Sequence, residues 1–314
     1  MRKAKLILLL AAVGLLFSCG GGAGDGIRSA LFGNRVLQPQ QTCTVTVNTV
    51  DALQSALTTA QSNNQNDVIC IQAGTYTVTQ TLTYSTPNGD GGKTLTIKAV
   101  GGQVVLDGGG SVQIMSINTD SDNNGGDAGG HVTIEGITFQ NGNISGIGGG
   151  LSVKTGLANI NLTNNTFSNN RANYNNSANN EYEGGSGGGV CAYSESGDIT
   201  LTNNTFSNNS ANQYGGGADV YLWNDTATGN IYNNIFWQNT ANAGGNDGDD
   251  LYVESNENNN QTPSTVNLYN NNFSGNANFQ TGQSEDLFIT LVQPERYNQA
   301  NNIQADPLFV NASA

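Results

Sequence analysis

Apolar and polar residues alternate in short runs along most of the chain, as in Leu151/Val153, Ile160/Leu162 and Ile199/Leu201, each pair flanking a polar residue. A period of two predicts strands with one side buried, not helices. Many of these runs end in a recurring phrase. Phe167, Phe206, Phe236 and Phe273 each follow an asparagine pair: Asn164-Asn165, Asn203-Asn204, Asn233-Asn234 and Asn270-Asn271. Three residues after each Phe stands another asparagine, at Asn170, Asn209, Asn239 and Asn276, and five before stands Leu162, Leu201, Ile231 or Leu268. A fainter copy centres on Phe139, with Ile134 five before it and Gly136-Ile137 in place of the pair. The spacings are 28, 39, 30 and 37 residues.

A second strand follows each glycine-rich turn. Gly148-Gly149-Gly150 leads into Leu151, Gly187-Gly188-Gly189 into Val190 and Gly215-Gly216-Gly217 into Ala218; Asp249-Asp250 precedes Leu251 and Glu285-Asp286 precedes Leu287. One such unit cannot bury its apolar side alone, but stacked copies share a continuous core. The fold expected is all-β: a single-stranded right-handed parallel β-helix of about six or seven rungs, with Phe rows inside and Asn rows at a corner. Inward asparagines there would bond the next rung's backbone and amide. A β-sandwich is the competing architecture, but it lacks this self-similarity.

The helical exception lies near the start. Val50, Leu53, Leu57 and Ala60 share one face behind Thr49, an N-cap residue type, between strand patterns at 44–47 and 68–71. This helix is expected to cap the open N-terminal end of the coil. The strand–helix–strand start also brings Cys43 and Cys70 together, and a disulfide is expected between them, as in an exported protein. Cys191 has no evident partner and reads as a buried apolar residue.

The first residues add a compartment. Arg2, Lys3 and Lys5 precede an apolar run at 6–17 that ends Leu16-Phe17-Ser18-Cys19. The layout is that of a secretory leader, too short to span a bilayer. Its ending resembles the lipobox of bacterial lipoproteins. The resemblance implies removal of residues 1–18, lipidation of Cys19, and a cell-envelope protein lipid-anchored at the outer membrane and exposed at the surface. Residues 19–41 then read as a flexible tether and 42–314 as the β-helix domain. The whole chain carries a net charge of −14, and −17 without residues 1–18. That balance disfavours nucleic acid as a partner; a monomer attached to the membrane through its lipid is expected.

The 43–76 stretch, with Ala52-Leu53-Gln54-Ser55-Ala56-Leu57 and Gln72-Ala73-Gly74-Thr75-Tyr76, resembles the opening of pectate-lyase-like right-handed β-helix proteins. The glycine turns and Phe-x-x-Asn phrases resemble repeats of chlamydial polymorphic outer-membrane proteins. Residues 302–310 resemble a closing segment of bacterial surface β-helix proteins. Two departures stand out: no membrane barrel follows, and the chain stops four residues after the closing segment. The resemblance speaks for the fold, which hosts many activities.

Catalytic signatures of that fold are not assembled in the sequence. Asn118-Thr119-Asp120 and Asp249-Asp250 lie 129 residues apart, too distant for a paired-carboxylate site. His131, the only histidine, reads as solvent-facing at a strand start, and Lys154 and Arg171 are the only basic residues in the repeats. No cofactor is expected. Calcium is the one metal suggested, because Asp120, Asp122 and Asn124 alternate as in the first half of a calcium loop and Asp127 adds an oxygen. Asp247, Asp249 and Asp250 form a weaker cluster.

Strand alternation after each glycine turn sorts inward from outward. Ser152, Cys191, Asp219, Tyr252 and Phe288 fall in one outward row, and Lys154, Tyr193, Tyr221, Glu254 and Thr290 in another, with Trp223 beyond Tyr221. The sequence predicts a flat, open face on which Tyr193, Tyr221, Trp223 and Tyr252, beside Asp219, Glu254 and Lys154, stack on sugars. A non-catalytic surface protein binding glycans or neighbouring cells is the expected function. A polysaccharide lyase or hydrolase on the same face is the alternative, and a structural spacer or coat the third reading.

Overall fold

The structure, a computed structural model, describes residues 42–309 apart from 88, 122–128, 175–183, 246, 256–261 and 291. The leader, Cys19 and the tether therefore lie outside the described residues, as do Asp122, Asn124 and Asp127. Among the described residues no helix is long and apolar enough to cross a membrane.

The strands form a parallel β-helix. A 15-stranded sheet folds into two columns, joined where the long strands Asp67–Thr77 and Leu95–Asp107 turn the corner between them. The first column runs through Val132–Glu135, Ile160–Thr163, Ile199–Thr202, Thr228–Tyr232, Thr265–Tyr269 and Tyr297–Ala300. The second runs through Ile137–Gln140, Thr166–Ser168, Thr205–Ser207, Ile235–Trp237, Asn272–Phe273 and Ile303–Gln304. A short third column holds Asn143–Ile144, Arg171–Ala172 and Ser210–Ala211. A separate seven-stranded sheet closes the coil: Leu82–Ser85, Met115–Asn118, Leu151–Thr155, Val190–Ser194, Ala218–Leu222, Leu251–Ser255 and Leu287–Ile289.

Register is set by the repeated phrase. Phe139, Phe167 and Phe206 are direct partners across parallel strands, and Phe206 pairs with Phe236. Their rings stack at 4.8–5.1 Å and within 9° of parallel, and Phe273 continues the column 4.9 Å beyond Phe236. All five are fully buried. Each contributes about 1.5–3 kcal/mol by burial, so a row of five phenylalanines binds the rungs to one another.

The two asparagines of each pair do different work. The first takes the left-handed conformation that turns the corner, with φ near 57° at Asn164, Asn203, Asn233 and Asn270; Asn tolerates that region better than most residues. The second points inward. Asn204 receives the backbone and side-chain N–H groups of Asn165 on its Oδ1 at 2.9 and 3.2 Å, and donates to Leu162 O at 2.8 Å and Asn234 Oδ1 at 3.1 Å. The ladder runs Asn165, Asn204, Asn234, Asn271 and ends on Asn302. In the faint copy Gly136 (φ 75°) supplies the turn and the Ile137 N–H donates to Asn165.

A second ladder links Asn170, Asn209 and Asn239. It does not reach Asn276, which is exposed and bonds Asp286 and Glu285 instead. Asp250 takes the vacant place, accepting from Asn239 Nδ2 at 2.8 Å. The rung carrying Asn276 departs from the repeat, so its corner cannot align with those before it.

The N-terminal helix is Val50–Ala60, with the Thr49 hydroxyl accepting the Ala52 N–H at 3.1 Å. Its buried Leu53, Leu57 and Ala60 pack it against strands Val45–Val47, Asp67–Thr77 and Leu82–Ser85. A disulfide joins Cys43 and Cys70 across this region.

Candidate functional site

The glycine turns set the edge of the site. Gly215 has φ 62°, and a Cβ on Gly216 would stand 2.3 Å from Thr240 O. Only glycine allows the chain to pass so close to the neighbouring rungs before it enters the seven-stranded sheet. Beyond the turns, Cys191, Asp219 and Tyr252 are register partners, as are Lys154, Tyr193, Tyr221 and Glu254. The two outward rows therefore exist as parallel columns.

The face is neither flat nor open. Asp219 and Tyr221 are each 4% exposed, and Tyr252 and Glu254 each 7%. The columns instead line a recess of about 300 Å³, with Ser152, Lys154, Cys191, Tyr193, Trp223, Ile147 and Ser186 around Asp219, Tyr221 and Glu254. Two causes account for the burial. Tyr193 and Tyr221 stand face to face along the coil at 4.8 Å and 19°, and Trp223, two residues beyond Tyr221, stacks on it at 5.9 Å and 19°. Their faces are spent largely on one another, leaving mainly ring edges and phenol oxygens for a ligand. Meanwhile Tyr214, from the preceding turn, lies 4.5 Å over Tyr252, which also stacks on Phe288 at 5.6 Å.

Tyr214, Ile147 and Ser186 went unread in the sequence, yet a signal exists. Each directly precedes the left-handed glycine of its turn, at Gly148, Gly187 and Gly215. The repeat thus places them in one row along the rim, and Asp247 before Gly248 extends it.

The electrostatics are uneven. At one end Lys154 Nζ sits 3.4 Å from Asp120 Oδ2 and 5.0 Å from the Tyr193 ring centre. This is the one ion pair among the described residues. Asp120 is buried and tied to the lysine, while among the described residues no three acidic, histidine or cysteine side chains converge as a metal site. Glu195 nearby is pushed up by burial and by Asp120, and pulled down by Lys154. At the other end burial pushes the Asp219 carboxyl up to about 7, and its Oδ1 accepts no hydrogen bond. Burial also raises the Tyr221 phenol, with Glu254, Tyr193 and Asp219 adding to it, and burial likewise raises Tyr193. Both phenols thus stay protonated, each with a donor as well as an acceptor atom. The recess combines phenols, hydroxyls, carboxyls and one ammonium around a space of sugar size.

Elsewhere, Asp249 accepts from Ala241 and Asp247 from Gly244, while Asp250 serves the ladder. His131 is exposed and receives the Asn159 N–H on Nδ1. No family model, characterised protein or solved structure matches the chain.

Proposed function

We propose that the chain is a lipid-anchored bacterial surface protein that binds a glycan in the recess of its seven-stranded sheet, without transforming it. The observation that carries this reading is the pocket of about 300 Å³ where Asp219, Glu254 and Lys154 surround the Tyr193–Tyr221–Trp223 stack. Its polar groups are many, directional and fixed by strand register, which suits a ligand rich in hydroxyls. A recess of this size favours one or two sugar units, held at their edges, over a long polymer lying on aromatic plates. The lipobox-like start and the resemblance to pectate-lyase-like surface β-helices support the cell-envelope location. Retention on an array of bacterial and plant glycans tests the reading. Wild-type protein should be retained on a subset, and Trp223→Ala or Tyr221→Ala should lose that retention; equal retention by both variants removes this recess from consideration.

One observation favours a second reading, glycoside hydrolysis. A carboxyl that holds its proton to about pH 7, Asp219, lies diagonally across from Glu254 of the adjacent strand. Two carboxyls flanking a glycosidic bond, one of them raised in pKa so that it can donate a proton, are what such hydrolysis uses. Release of new reducing ends from a retained glycan, lost in Asp219→Asn, would move the protein from binder to enzyme.

A further inference from the structure

We propose that the recess selects a sugar bearing a free amine, seating its ammonium at Asp219 beside Tyr221; this rests on the glycan site proposed above. Asp219 is 4% exposed, lines the pocket, and has an Oδ1 that accepts no hydrogen bond. The ionised form is costly there, which is why the carboxyl holds its proton to about pH 7, and a ligand that supplies donors favours the carboxylate by the relief. An ammonium supplies three donors and the opposite charge. A hydroxyl supplies one donor and no charge, and an acetamide supplies one with added bulk.

The molecule already contains the arrangement once. Lys154 places an ammonium between a buried carboxylate, Asp120, and the Tyr193 ring. Along the same register row stands Tyr221, with Asp219 on its own strand. These are the same two elements, a buried carboxylate and a tyrosine, while the one ion pair among the described residues is at Lys154. Cys191 and Tyr252 flank Asp219 in register, and Glu254 lies across the neighbouring strand. Burial and the nearby carboxyl charges keep the Cys191 thiol protonated, Glu254 is acidic, and Lys154, the one cation lining the recess, is paired with Asp120 at its other end. The net charge of −14 draws cations toward the protein as a whole. The ligand is a sugar more than a lysine side chain because Ser152 and Ser186 line the same space, and sugar hydroxyls can bond them where an alkyl chain cannot.

The test compares short β-1,4 oligomers of glucosamine, N-acetylglucosamine and glucose, which differ only at one substituent, by calorimetry at physiological salt and near-neutral pH. The glucosamine oligomer should bind at least about tenfold more tightly, and Asp219→Asn should bring the three within about threefold. Glu135→Gln, at an exposed outward position of the first column, should leave the preference intact. Asp219→Glu, which keeps the charge, should retain the preference at altered affinity, and serves if the asparagine variant folds poorly. Equal binding of the three oligomers overturns amine selection while leaving the glycan site standing. So does binding of none of them alongside retention on another array glycan; no retention on any glycan removes both readings. A preference that persists in Asp219→Asn, or tighter binding of a blocked lysine amide than of glucosamine, also overturns it.

Discussion

Asn239 and Asp250 meet where the second amide ladder stops: Asn239 Nδ2 donates to Asp250 Oδ1 at 2.8 Å. In earlier rungs the same donor reaches the next asparagine's side-chain carbonyl, as Asn209 does toward Asn239. Here a carboxylate replaces that amide, and it also receives the Ser274 N–H at 2.8 Å and the Ser274 hydroxyl at 3.2 Å. Asp250 is fully buried, and burial outweighs these bonds, pushing its carboxyl up to about 7.

Stability should therefore rise on acidification. An unfolded aspartate titrates near about 3.9. A folded value above that means the group's contribution is fully present below about pH 4 and is lost as pH climbs through the folded value. Asp219, raised to about 7, and Asp249, raised to about 6, act in the same direction. Asp107 opposes them: burial pushes it up, but bonds from Gln140, Gly109 and Asn141 bring it below its usual value. The urea midpoint should be higher near about pH 5 than near about pH 8, and Asp250→Asn should flatten that dependence. A midpoint that falls on acidification over this range contradicts the account.

Asn204→Ala should be among the most damaging single changes. It leaves the Asn165 N–H without its acceptor, takes one of the two acceptors of Asn165 Nδ2 (Ile134 O remains), and removes the Asn204 donor from Leu162 O, all in a buried corner. Unsatisfied buried groups cost about 1–3 kcal/mol each, so a loss on the order of 4 kcal/mol in urea unfolding is expected. Asn203→Gly is the control. Its φ of 56° is one glycine accepts readily, so the change should stay within about 1 kcal/mol. Equal losses at both sites would mean that the inward ladder does not hold the corner.

The turns before the seven-stranded sheet give a sharper contrast. A Cβ on Gly216 would lie 2.3 Å from Thr240 O and 2.5 Å from Asp249 O, both main-chain atoms bound into adjacent rungs. Gly216→Ala should cost at least about 2 kcal/mol. Gly275→Ala, where a Cβ meets nothing within 4 Å, should fall within about 0.5 kcal/mol of wild type. Thermal or urea unfolding of the two variants side by side decides the point, and a tolerated alanine at 216 would show that the rungs can part there.

The coil was legible because stacking converts repetition into register. Phe167, Phe206 and Phe236 had to be neighbours once each began an equivalent rung, and strand alternation sorted Asp219 and Tyr221 onto the same outward side. The ladder's end was not legible, because Asn276 satisfies the phrase while its rung leaves the repeat. Nor was the recess. Alternation tells which way a side chain points but not what leans over it: Tyr214 covers Tyr252, and Tyr193 and Tyr221 stack on one another along the coil. The row before the left-handed glycines carried that information at Ile147 and Ser186, which line the recess, and at Tyr214, which covers Tyr252, although those three residues share no chemistry.

Cys191 offers a chemical probe of the same recess. The thiol lines the pocket yet is only 6% exposed; burial pushes its pKa well above the usual value, and the charges of Asp219 and Glu254 push it further. Alkylation proceeds through the thiolate, so native protein should react slowly with iodoacetamide at about pH 8, at least about tenfold slower than the urea-unfolded chain. Asp219→Asn removes one of the charges disfavouring the thiolate and should speed the native reaction. Peptide mapping by mass spectrometry reads this cysteine separately from Cys19, Cys43 and Cys70. Native labelling as fast as in urea would mean a recess open to reagent with a populated thiolate, and the buried carboxyl environment assigned to Asp219 would have to be abandoned.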